Sequence, residues 1–206
     1  MIEDRPLPNA ALRTLLQAIQ DVMGENGTKA VLNTGGLQRF IGNYPPNNLD
    51  LGATFREYGL TEQAVEDTLG PRGARATMLR IGRVTFQYGL KEQPAILGNL
   101  GGLVLKVLPM GAAMKLVLGN VSNAASKHVN QPTRIEEDQD ALYFVAEECP
   151  CRWRGKKDKP VCHVTVGVLT EAMAFATGKQ VRVEEVECIA AGGSVCKYRI
   201  EKKAIE

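Results

Sequence analysis

Val161 to Ile200 reads VCHVTVGVLTEAMAFATGKQVRVEEVECIAAGGSVCKYRI, and it carries three thiols and a carboxylate in the spacing Cys-x22-Glu-x2-Cys-x7-Cys: Cys162, Glu185, Cys188 and Cys196. Proline suits a first helical turn, so Pro160 predicts a helix beginning just beyond it. The segment Val161 to Thr177 stays apolar on most faces, and Gly178 supplies the stop. Cys162 then falls in the first turn, where the helix dipole and unpaired N–H groups favour a thiolate. Val181 and Val183 alternate with Arg182 and Glu184, the period of a half-buried strand, with Glu185 next on the valine face. Ala191 to Ser194 reads as a turn, after which Cys196, Tyr198 and Ile200 share one face of a second strand. Folding that hairpin brings Cys188 opposite Cys196. Strict alternation would place Glu185 and Cys188 on opposite faces, so a shared site requires a bulge or a strand end between them.

Three thiols and a carboxylate are ligand types of a structural zinc site. Other readings compete with it. Buried free cysteines are common, but four spaced ligands argue against four unrelated ones. A Cys188–Cys196 disulfide is allowed across a hairpin. The start MIEDRPLPNAAL has no signal peptide pattern, however, and leads to the expectation of a reducing, cytoplasmic location. An iron–sulfur cluster would want closer C-x2-C spacing. Cys149 and Cys151 are reserve ligands that could replace Glu185. Three thiolates and a carboxylate leave the site with a net charge of about −2, which nearby N–H donors would have to offset.

The rest of the 206 residues bounds the fold. A hydrophobic content of 44% suffices for one core, and nothing demands a second domain. The net charge of +2 is spread along the chain and leaves no nucleic-acid footprint. Arg152, Arg154, Lys156, Lys157 and Lys159 around Trp153 are expected to form a solvated loop. Leu12, Leu15, Leu16, Ile19, Val22 and Met23 fall at helical spacing behind Asn9 as a candidate cap, with Gly24 as a stop. A short helix and a loop follow over Asn33 to Leu51. Thr61 is a candidate cap for a helix to Leu69, and the pattern resumes from Arg72 to Tyr88. Ile96 to Val121 is the most apolar segment, but Lys106, Pro109 and Lys115 cut it well short of the ~20 residues a membrane span needs. Its small residues suit a core helix pair, a dimer face or the wall of a ligand cavity. Ile135 and Ala141 to Val145 flank the polar tip Glu137 to Asp140, a hairpin signature. The expected class is α+β, helices packed on an antiparallel sheet.

At the cysteines the chain resembles a known family, the 4-vinyl reductase domain, and in particular its zinc-binding end in the phenol-responsive activators of bacteria. The pattern of that end is met without a gap by Cys162, Gly167, Gly178, Glu185, Cys188 and Cys196, and the Cys149-Pro150 pair after a hairpin-like stretch is also similar. The resemblance is specific over about residues 133–200, the expected family core, and only topological over the mainly helical 1–132. It implies a fold like that of trafficking-complex (TRAPP-like) subunits, the ligand-binding type of nitric-oxide signalling and Golgi transport. In that fold helices and a sheet enclose a hydrophobic pocket, usually within a homodimer. It also implies a structural zinc held by Cys162, Glu185, Cys188 and Cys196, with no open coordination position and no chemistry of its own.

Departures from the phenol sensors shape the functional expectation. Positions that are aromatic in those sensors are here Val168 and Ala172, which implies a wider, aliphatic pocket. Tyr143, Leu103 and Val107 are expected to complete its lining. The two histidines, His128 and His163, have no recognisable nucleophile or carboxylate partner, and no nicotinamide or flavin fingerprint is present. The expected function is binding or sensing of a hydrophobic, hydrocarbon-like small molecule rather than catalysis. A tetrapyrrole-directed 4-vinyl reductase activity and a ligand-free assembly scaffold are the alternatives.

Overall fold

The computed structural model describes residues 4–92, 105 and 107–205. A two-residue strand β1 (Pro6–Leu7) pairs antiparallel with β2 (Ala53–Thr54) and brackets the first long helix, α1 (Asn9–Thr34). Asn9 does not cap α1: Pro8 precedes the helix, and the Asn9 side-chain amide instead donates to Asn48 Oδ1 at 2.9 Å. At Gly24, whose φ of 76° and ψ of 171° are not helical, α1 breaks into two segments, as the sequence expects of a stop there.

The second long helix, α2 (Phe55–Glu92), starts earlier than Thr61 would have it. Glu57 N–H donates to Thr54 Oγ1 at 3.2 Å while Thr54 N–H donates to Glu57 Oε2 at 3.1 Å, a reciprocal capping box written in the sequence as Thr-Phe-Arg-Glu. The Thr61 hydroxyl donates back to Glu57 O within the helix instead. At Gly70 (φ 71°), just ahead of Pro71, α2 breaks into two segments where the sequence places its stop. Of the apolar segment Ile96 to Val121, the described part includes the start of α3 (Met110–His128).

Beyond α3 come β3 (Thr133–Glu137) and β4 (Ala141–Ala146), α4 (His163–Thr177), β5 (Val181–Glu187) and β6 (Cys196–Ala204). The four strands form one antiparallel sheet in the order β3-β4-β6-β5. The class is therefore α+β, helices on an antiparallel sheet. As the apolar sequence of α4 requires, this helix is buried on more than one side. Val164 joins the core formed by α1 and α2, while Val166, Leu169, Ala172 and Met173 join the core over the sheet.

Gly82 and Gly167 make this arrangement possible. A Cβ on Gly82 would meet Val164 O at 2.0 Å, and one on Gly167 would meet Leu79 O at 2.3 Å, so α2 and α4 cross with backbone touching backbone. No helix among the described residues is long and apolar enough to cross a membrane.

Candidate metal centre and adjoining cavity

Five cysteines converge from four places in the chain. Cys149 precedes and Cys151 lies within a 3-10 turn (Pro150–Arg154) after β4; Cys162 is the N-cap of α4; Cys188 leaves β5; Cys196 opens β6. All five are buried as free thiols. The required irregularity in β5 is present, as the β5–β6 register shifts between Glu185 and Glu187. Beyond it, Ile189–Ala191 forms a tight turn, held by Gly193 N–H on Cys188 O at 2.9 Å and by Ser194 N–H on Glu187 Oε1 at 2.8 Å.

The sulfurs are spaced as a tetrahedral site would have them. A Zn–S bond of about 2.3 Å in a tetrahedron implies sulfur–sulfur separations of about 3.8 Å. Cys151 lies 3.4 Å from Cys196 and 4.0 Å from Cys188; Cys162 lies 3.9 Å from both Cys188 and Cys196. Two overlapping sets offer ligand atoms all within 4.8 Å of one another: Cys149, Cys151, Cys162 and Cys196, and the sequence-predicted set Cys162, Glu185, Cys188 and Cys196. Cys149, a member of the all-cysteine set, has its Sγ 3.7 Å from that of Cys162.

Hydrogen bonding among the thiols splits them: those of Cys151 and Cys188 are held below their ordinary range, while those of Cys149, Cys162 and Cys196 are pushed above it. Ile189 N–H donates to Cys196 Sγ at 3.4 Å, and hydrogen bonds from neighbouring thiols, Cys149 first, hold the Cys151 thiol below its ordinary range. Arg154, expected in a solvated loop, has no exposed side-chain surface. It donates to Val161 O at 2.5 Å and to Glu66 at 2.6 Å, and charge at Cys162 and Cys151 is among the influences that keep it protonated. Lys157 also pairs with Glu66, at 2.8 Å, so two members of the basic run are structural rather than solvated. Glu185 turns Oε2 to the Cys162 N–H at 2.8 Å, while Oε1 is buried with no hydrogen bond among the described residues. Burial, then charge at Cys188, pushes its carboxyl up to about 8.

Next to the cluster is a cavity of about 230 Å3, walled by α1, α2, α3, α4 and β4, with Phe55, Phe86, Phe144 and Val168 among its apolar lining. Cys149 and Pro150 line it too, so one turn both faces the cavity and supplies sulfur to the cluster. That turn sits directly on α2, where a Cβ on Gly59 would meet Pro150 O at 2.2 Å.

Of the described residues expected to line a pocket, Val168 lines this one and Ala172, Tyr143 and Val107 do not. Ala172, fully buried, packs in the core over the sheet. Tyr143 points to the other face of β4 from Phe144, its hydroxyl on Asp138 at 2.7 Å and its ring beneath Lys197. Val107 is 81% exposed, and Leu103 lies outside the described residues. The sequence reading missed Tyr58 and Glu62, which face the cavity one helical turn apart on α2. Burial pushes the Glu62 carboxyl up to about 7, against the lowering effect of Arg154.

Comparison with known proteins bears on the fold. No curated protein matches the chain in sequence. Among solved structures, a variant of the unliganded Fe(II) H-NOX protein from K. algicida superposes with a TM-score of 0.60 at 13% identity, covering 96% of this chain and 97% of its own. An oxygen-binding H-NOX domain related to soluble guanylate cyclases gives 0.52 at 15% identity, covering 94% of each chain. The phenol-responsive sensory domain of the transcription activator PoxR, solved with phenol, gives 0.50 at 19% identity over 71% of this chain and 73% of its own. At these identities the likeness is one of fold. Residues 142–202, the segment that carries all five cysteines and Glu185, match the 4-vinyl reductase domain family, the family that the sequence resembles.

Proposed function

We propose that this protein binds, and by binding senses, a small hydrophobic molecule in the cavity beside the cysteine cluster, and that a structural zinc ion in the cluster fixes the cavity wall. The observation that carries this reading is the shared turn: Cys149 and Pro150 line the cavity, and Cys151, one residue on, is 3.4 Å from the Cys196 sulfur. The cavity, at about 230 Å3, is smaller than the roughly 300–1,000 Å3 of sites for drug-sized ligands. It suits a ligand of one or two rings or a short chain better than a tetrapyrrole. The solved PoxR sensory domain with phenol is a protein of this fold that carries such a ligand.

Cys162, Cys188 and Cys196 would hold the ion. We assign the fourth position to Cys151, because it completes a ring of sulfur separations of 3.4 to 4.0 Å; Glu185, with Oε2 on the Cys162 N–H and Oε1 without a partner among the described residues, is the alternative fourth ligand. Four protein ligands leave no place for a reactive water, so the ion would contribute folding energy rather than catalysis. Free thiols suit a reducing compartment such as the cytoplasm, and a homodimer is the assembly the resemblance implies.

Native mass spectrometry of the freshly purified protein tests this. One zinc per chain, with or without a small organic mass, is the expected result, and the same spectrum reports dimerisation. A retained tetrapyrrole would transfer the assignment to the reductase alternative, and protein free of metal after purification without chelators would overturn the zinc centre.

A further inference from the structure

Resting on the cavity reading above, we propose that the ligand is a small amphiphile with a protonated amine: an apolar ring or chain in the cavity, its ammonium group held by Glu62.

Glu62 is the only carboxylate among the residues lining the cavity, and no lysine or arginine lines it. With 4% of its surface exposed, it is a buried carboxylate in a mainly apolar lining whose other polar side chains include Thr14, Thr85, His128, Gln131 and Thr165, and an unpaired carboxylate there is costly. Its one ion-pair partner among the described residues, Arg154, is 3.7 Å away and makes its closer contacts with Glu66 Oε2 and Val161 O. Among the described residues no hydrogen bond to the Glu62 carboxylate is formed.

The local charge count points the same way. Arg154 and Lys157 balance Glu62 and Glu66, and neither of these two cations lines the cavity. A cation entering this end of the cavity would gain a partner at Glu62 and meet no lysine or arginine in the lining. An anion would meet Glu62 first, with Arg154 3.7 Å from that carboxylate and outside the lining. Tyr58, one turn before Glu62, and Phe55 line the same cavity and could contact a cation through their rings.

Three probes of matched body separate the possibilities when titrated calorimetrically into the 206-residue protein: 1-methylnaphthalene, 1-naphthylmethylamine and 1-naphthoate. The expected order is amine first, by roughly tenfold over the hydrocarbon, with the carboxylate failing to bind. Glu62→Gln should collapse the amine preference to near unity. Because the wild-type ranking needs no variant, a folding defect in Glu62→Gln would not shield the proposal. If hydrocarbon and amine bind equally, the amine anchor is wrong and the apolar cavity reading stands. If none of the three binds, the cavity reading falls and the anchor with it.

Discussion

The sulfurs of Cys151 and Cys196 lie 3.4 Å apart although 45 residues separate them. Such an approach joins the turn after β4 to the start of β6, and a metal bound there would tie both to α4 through Cys162. Cys151→Ser should therefore release zinc as readily as Cys188→Ser, whereas Glu185→Gln should keep it. Metal retained per chain, measured by elemental analysis after gel filtration, checks this ranking. Because binding of a structural metal is coupled to folding, Cys188→Ala should also cost several kcal/mol in thermal or denaturant unfolding. Zinc retained by Cys151→Ser but lost from Glu185→Gln would restore the three-thiol, one-carboxylate set.

The crossing of α2 and α4 gives a prediction independent of any ligand. In Gly82→Ala the new methyl group would sit 2.0 Å from Val164 O, which is backbone and cannot rotate away. The helices must separate, at a cost of roughly 1–3 kcal/mol or more. Gly119→Ala, with nothing within 4 Å of the added Cβ, is the control and should gain up to about 1 kcal/mol of helix propensity. Equal midpoints for the two variants in urea unfolding would contradict the close crossing.

Val168 faces the cavity, and Ala172, one turn further along α4, does not. A larger side chain at Val168 should fill the cavity: Val168→Phe is expected to weaken 1-methylnaphthalene binding about tenfold or more while the fold persists. Ala172→Phe should act differently, overpacking the core at a cost of about 1–3 kcal/mol. Calorimetric titration and thermal melting of both variants separate blocked binding from lost stability. Undiminished binding in a folded Val168→Phe protein would remove this wall from the site.

How much of this was legible in the sequence depended on whether the signal was local. The helix after Cys162, its stop at Gly178, the Val181 strand and the parity of Cys196, Tyr198 and Ile200 all follow from spacing, because periodicity and glycine act within one element. The bulge near Glu185 was deducible as a requirement, since two ligands on opposite faces cannot otherwise meet. The start of α2 was legible but overlooked: Thr54 and Glu57 have capping-box spacing, while Thr61 is an ordinary helical threonine with its hydroxyl bonded back to Glu57 O. The burial of Arg154 was not legible, because its partner Glu66 lies 88 residues away and the glycine and lysines around it look like solvated loop. The cavity lining was the least legible part. It gathers residues from four helices, from β1 and β4 and from the turn after β4, and at β4 the difference between Tyr143 and Phe144 is one of strand face, which only the packing of helices on one side of the sheet decides.

Glu62 gives the sign of a pH effect. Burial raises its carboxyl from the ordinary 4.5 to about 7; Arg154 opposes that shift, and negative charge at Cys151, Cys188 and Glu66 adds to it. Tyr58, whose own ionisation burial and the Glu62 charge both push up, stays neutral beside it. A group with a raised folded-state value binds its proton more tightly in the native protein. Its contribution to stability is therefore complete below about pH 4.5 and is lost as pH rises through about 7. Glu62→Gln cannot lose it, so the stability of the variant relative to wild type should climb across that window, by up to the order of 3 kcal/mol. Urea unfolding of the two proteins at several pH values between 4.5 and 7.5 measures this difference. Parallel curves would mean that Arg154, at 3.7 Å, already compensates the carboxylate, and the amine anchor would lose its electrostatic basis.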